Sequence, residues 1–128
     1  PLYDLFSFSE NRSYNGGGMY LTNSNPTLMG VTFTGNYAFS NNMALEGGGM
    51  YLTNSSNPIL TNSILWGPPS QEIFFSTGTG DNPNSITIKY SDIQGGEAGI
   101  VTNSNGTVSW DDSNIDADPL FCDAVNGD

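Results

Sequence analysis

The chain is 128 residues long and sets 13 acidic residues against two basic ones, Arg12 and Lys89, for a formal net charge of -11 with no histidine. That balance repels phosphate backbones and anionic lipid, so it excludes nucleic-acid binding and gives no electrostatic hold on a membrane surface. No apolar run approaches the roughly 20 residues of a spanning helix, and a lone Cys122 without histidine provides neither an internal disulfide nor a Cys/His metal set.

The length fits one domain, residues 1–128, with 111–128 as its closing segment; Pro1 at the start and Asn-Gly-Asp at the end read as the limits of a piece of a longer protein. Asn, Ser, Thr and Gly are abundant while Lys, Arg and Ala are scarce, a composition that starves helices and suits strands joined by tight turns.

In chain order, "PLYDLFSF" is apolar at Leu2, Tyr3, Leu5, Phe6 and Phe8 and reads as part of an interrupted rung. "GGGMYLTNS" follows at Gly16 to Ser24 and returns unchanged at Gly47 to Ser55, and the same constant offset also lays Phe8 on Phe39 and Asn11 on Asn42. "EIFFS" (Glu72 to Ser76) is a degenerate third copy, and "AGIVTNSNGTV" (Ala98 to Val108) aligns without gaps on "GMYLTNSNPTL" (Gly18 to Leu28). The intervals from Met50 to Ile73 and from Ile73 to Gly99 are similar in length, each suited to a single turn of a solenoid with a period of roughly 20–50 residues. Alternation within each copy has period two, glycine triplets and Asn-Pro punctuate the strands, and no helix-length periodicity occurs. An all-β solenoid of about four rungs follows, with no substantial helix.

Stacked copies make columns. Met19, Met50 and Ile73 are expected inward beside Leu21, Leu52, Phe75 and Val101, with Phe33 and Leu65 on another wall. Asn23, Asn54 and Asn103 share the inward parity and are expected to form an amide ladder at a corner. Tyr20, Tyr51, Phe74 and Ile100 fall on the outward face above Thr22, Thr53, Ser76 and Thr102. An aromatic stripe edged by hydroxyls is a surface for a glycan or partner protein, with Tyr20, Tyr51, Phe74, Thr22 and Thr53 as its contacts; a covering loop or a one-residue slip of register makes the same residues core.

"GGGMY" with the tetrads "FSEN", "FTGN" and "FSNN" resembles the repeats of polymorphic outer-membrane proteins, and "NSILWG", "ITIKYSDIQGG" and "NIDADPLF" resemble the closing part of secreted bacterial right-handed parallel β-helix proteins. The resemblance implies a right-handed parallel β-helix, extracellular or at the cell surface, acting as a structural scaffold or adhesin. Other lineages of the same shape are polysaccharide lyases and hydrolases. A lyase needs a cationic base and charge-neutralising partners, whereas Arg12 and Lys89 fall some three rungs apart; a hydrolase needs clustered carboxylates, whereas the adjacent Asp111 and Asp112 point to opposite faces of a strand. No catalytic residue is therefore assigned, and the alternative is a glycan-binding segment whose catalytic part lies outside the chain.

Two expectations concern the C-terminal end and the rung edges. Asp112, Asn114, Asp116, Asp118 and Asp123 occupy positions 1, 3, 5, 7 and 12 of a loop with the oxygen spacing of a calcium site, although Ala117 replaces the turn glycine; plain Asx turns explain the same residues. No other cofactor is implied. The uncapped first rung is expected to pair with a second copy or with a preceding segment, giving self-association through the ends of the β-helix.

Overall fold

The computed structural model describes residues 6–39, 47–67, 71–78 and 82–121. The first coil holds β1 (Phe6–Ser9), β2 (Arg12–Ser13), β3 (Met19–Thr22) and β4 (Thr27–Met29); the second holds β5 (Val31–Thr34), β6 (Tyr37–Ala38), β7 (Met50–Thr53) and β8 (Ile59–Thr61). The third holds β9 (Ile64–Trp66), β10 (Ile73–Phe75) and β11 (Asn84–Lys89), and the fourth holds β12 (Asp92–Ile93), one 3-10 turn at Glu97–Gly99 and β13 (Gly106–Trp110). Among the described residues every strand pairing is parallel. One wall is β1-β5-β9-β12, the second β3-β7-β10, the third β4-β8-β11-β13, and β2-β6 is a short fourth. The protein is thus an all-β parallel coil, and no helix among the described residues is long and apolar enough to cross a membrane.

The register explains the repeated nonapeptide. Met19 lies against Met50 and Met50 against Ile73, while Leu21 lies against Leu52 and Leu52 against Phe75. The interior is a column of Phe33, Met50, Leu52, Leu60, Leu65, Ile73, Phe75, Ile86, Ile88 and Ile93, all buried. Each such side chain contributes roughly 1.5–3 kcal/mol on burial. The leading glycines are required by close approach: Gly47 has φ +68°, and a Cβ on Gly49 would lie 2.8 Å from Glu72 Oε2 and 3.0 Å from the Glu72 carbonyl.

Most of the wall strands are cut short by a left-handed corner. After the paired residues Met29, Thr61 and Lys89 come Gly30, Asn62 and Tyr90 with φ of 65°, 51° and 50°. Side chains bridge successive coils here: the Val31 N–H donates to Ser63 Oγ, the Ser63 N–H to Ser91 Oγ, and the Ser91 N–H to Asn114 Oδ1. The opposite corner runs from the Ser24 N–H to Ser56 Oγ and from the Ser56 N–H to Asn84 Oδ1. Buried donors that the turn takes out of the strand ladders are satisfied in this way.

Two registers differ from the sequence alignment. Phe8 pairs with Phe33, not Phe39, and their rings stack at 4.8 Å. The Phe-x-x-Asn tetrad then makes sense, because both the N–H and the Nδ2 of Asn11 donate to Asn36 Oδ1, and Asn36 Nδ2 donates to the Phe8 carbonyl at 2.6 Å. Phe39 packs instead on Tyr14, and Asn42 lies outside the described residues. In the fourth coil Val101 bridges to Phe74, so it joins the outward column and Ile100 enters the core in its place. The 3-10 turn at Glu97–Gly99 accompanies this one-residue slip.

Candidate functional site

The aromatic stripe exists as a stack but not as an open surface. Tyr20 and Tyr51 are parallel at 5.2 Å and Tyr51 and Phe74 at 5.7 Å, as their common register dictates. Tyr20 is 53% exposed, whereas Tyr51 and Phe74 retain only 9% and 7%. The strands β7 and β10 are buried on both faces, and the stripe offers solvent only its first ring. Ile100 does not extend the stripe, being part of the core.

The hydroxyl row below is held within the coil. Asn54 Nδ2 donates to Thr22 Oγ1, and Ser76 Oγ donates to Thr53 Oγ1. Asn23, Asn54 and Asn103 are exposed, with φ of 47°, 52° and 50°, rather than inward. The left-handed corner turns these side chains out of the period-two alternation, and asparagine is used there because it tolerates that conformation. Asn103 Nδ2 reaches back to the Phe75 carbonyl at 2.6 Å. The ladder stands two to three residues further along the corner, where the N–H and Nδ2 of Asn57 donate to Asn25 Oδ1 and Ser85 Oγ donates to Asn57 Oδ1. The paired "NPTL" and "NPIL" strings carried that signal.

The C-terminal acids do not converge. Asn114 is buried and its amide is engaged, Oδ1 by the Ser91 N–H and Nδ2 on the Ile88 carbonyl. Asp116 accepts from the Gly95 N–H, Asp118 from the Leu120 N–H in an Asx turn, and Asp112 is exposed. Beside them the Ser113 hydroxyl and N–H hold the Asp111 carboxyl below the usual carboxylate range, with a small contribution from Lys89. Among the described residues no three His, Cys, Asp or Glu side chains gather as a metal set; Asp123 lies outside them.

One group escaped the sequence reading. Glu72 follows the glycine column Gly18–Gly49, because Ile73 pairs with Met50 and Met50 with Met19. Its side chain fills the space that Gly49 leaves and is only 2% exposed. A backbone bond from Gly49 reaches the carboxyl, while Oε1 has no hydrogen-bond partner and lies beside Gly67. Burial pushes its pKa from 4.5 up to about 8, against the smaller lowering effect of the Gly49 bond, so the acid is protonated at neutral pH. The alignment of Met50 on Ile73 was the available signal, since it already set a glutamate beneath Gly49.

A family model described as a right handed beta helix region matches residues 5–126. The chain belongs to the right-handed β-helix family. Searches of curated proteins and of solved structures return no match. This β-helix fold serves enzymes and non-enzymes alike, so its function has to be argued from side chains.

Proposed function

We propose that this β-helix is a non-catalytic scaffold or adhesin segment of a bacterial extracellular or cell-surface protein, able to continue from one copy to the next through its ends. The use made of its polar side chains carries the reading: Asn36, Ser56, Ser63, Asn84, Ser91 and Asn114 are buried and bonded to neighbouring coils. Among the described residues β1, β3 and β4 stand at one end of their walls and β13 at the other. Phe6 and Met29 are 64% and 65% exposed at the first coil, beside a cavity of about 360 Å³ lined also by Phe8, Leu28 and Val31. Strand edges left unpaired among the described residues and flanked by apolar side chains favour strand addition by a second copy, in a head-to-tail contact. Light scattering over a concentration series at high salt tests this. Association that Phe6→Glu with Met29→Glu abolishes supports it, and a strict monomer at every concentration refutes it.

The second reading, a glycan-binding segment of a polysaccharide lyase or hydrolase completed elsewhere, is favoured by a polar groove of about 190 Å³. Thr53, Asn54, Ser76, Asn82 and Asn105 line it. Incubating the purified chain with polygalacturonate and alginate separates the readings. The scaffold reading expects no cleavage; products that disappear in Lys89→Gln or Glu72→Gln would replace it with an enzymatic one.

A further inference from the structure

The corner between β1 and β2 holds a feature that stacking does not require. In the second coil this corner is Gly35, φ +62°, which adopts the left-handed conformation without steric cost. In the first coil the same position is Glu10, φ +54°, a residue type that resists that conformation. Both make the same bond to the coil beneath, Glu10 N–H to the Thr34 carbonyl and Gly35 N–H to the Trp66 carbonyl. A glycine at position 10 would satisfy the backbone equally; other corners of the coil carry Tyr90 and Ser55 in the same conformation, so what distinguishes Glu10 is what its side chain faces.

That side chain lies over Gly35, with its Cγ 3.6 Å from where a Cβ on Gly35 would stand. Two residues on, Arg12 pairs with Tyr37 across β2 and β6, while the next pair, Ser13 and Ala38, brings the fully buried Ala38 to the interior. Arg12 and Tyr37 therefore share the outward face. Glu10, Arg12, Gly35 and Tyr37 line one cavity of about 520 Å³, within the roughly 300–1,000 Å³ range of small-molecule sites.

The chemistry of the lining selects a ligand class. A guanidinium fork supplies paired donors, a carboxylate supplies paired acceptors, and the tyrosine ring supplies a flat apolar face. A phosphate or a polyanion meets Glu10 and the -11 charge of the chain, and a cation meets Arg12. A neutral ring bearing adjacent hydroxyls satisfies all three groups together.

We propose that Glu10, Arg12 and Tyr37 form a subsite for a neutral hexopyranose unit of a glycan, the ring lying on Tyr37 and its vicinal hydroxyls held between Arg12 and Glu10. The subsite gives the adhesin reading a ligand class and rests on it, yet it is separate from the end-to-end contact, so sugar binding and light scattering fail independently.

The test is an NMR titration of the isotope-labelled chain with methyl β-galactopyranoside, methyl α-mannopyranoside and methyl β-glucopyranoside, and with galacturonate as the charged comparison. Saturable shifts centred on the amides of Glu10, Arg12, Gly35 and Tyr37 with at least one neutral glycoside are expected. Arg12→Gln and Glu10→Gln should each weaken that binding about tenfold or more, the loss of one charge-assisted hydrogen-bonding group. Glu10→Gly should lose binding to the same degree while its thermal midpoint holds or rises, because the strain is relieved. The proposal is overturned by no saturable shift with any neutral glycoside at tens of millimolar, by tighter binding of galacturonate, or by unchanged affinity in Glu10→Gly.

Discussion

Replacing Glu72 with Gln should flatten the pH dependence of stability. The folded protein keeps the Glu72 proton up to about pH 8, whereas a carboxyl freed by unfolding loses it near the ordinary value of 4.5. Between those two values the folded state binds more protons than the unfolded one, so stability falls as pH rises; the contribution is full below the lower value and gone above the higher. At about 1.4 kcal/mol per pH unit, the whole window is worth on the order of 5 kcal/mol, and most of it is lost by neutral pH. Gln keeps an acceptor for the Gly49 bond and never ionises, so the variant should match the wild type near pH 5 and exceed it by several kcal/mol near pH 9. Denaturant unfolding of both proteins at about pH 5, 7 and 9 measures this, and their difference removes the general repulsion of the -11 charge common to both. Parallel pH profiles, or a wild type more stable near pH 9 than near pH 5, would refute the burial of an ionisable group at this corner.

Other substitutions probe the coil in the same unfolding assay. Gly47→Ala places a Cβ against the Met50 carbonyl at φ +68° and should cost about 1–3 kcal/mol. Asn114→Ala orphans the buried Ser91 N–H, while the Ile88 carbonyl keeps the Asp111 N–H, and should cost about 1–3 kcal/mol, whereas Asn23→Gly, at an exposed left-handed position, should change stability by less than about 0.5 kcal/mol. Tyr51→Ala should cost about 3–5 kcal/mol and Tyr20→Ala about 1 kcal/mol, the order their burial dictates; equal costs would mean that the stripe is uniformly covered or uniformly open.

The walls of the coil were legible because the two copies of "GGGMYLTNS" are identical, so that pairing Met19 with Met50 fixed Tyr20 on Tyr51 and Leu21 on Leu52. Legibility failed where the coils differ in length. The chain from Phe8 to its partner Phe33 is shorter than the chain from Met19 to its partner Met50, so one offset could not align both walls. It failed again at corners, where positive φ at Asn23, Asn54 and Asn103 breaks the alternation that parity arguments assume. The outward direction of Tyr51 and Phe74 was readable from period two, but their burial depends on what packs over the sheet, which alternation does not encode. Glu72 was hidden because it is one charged letter in a degenerate copy, meaningful only once Gly49 is known to leave it room. Glu10 became visible only when its φ could be set beside that of Gly35.

The parallel stacking of the repeats is tested most directly by methyl NOE spectroscopy on a chain labelled at Leu, Ile and Val. Cross-peaks are predicted for Leu21–Leu52, Leu28–Leu60, Leu60–Ile88 and Leu65–Ile93, each a register pair of adjacent coils. Ile100, and not Val101, should show contacts to the core methyls. Absence of these four cross-peaks from a fully assigned spectrum, or core contacts from Val101 in place of Ile100, would contradict the stacked coil and the site placements built on it.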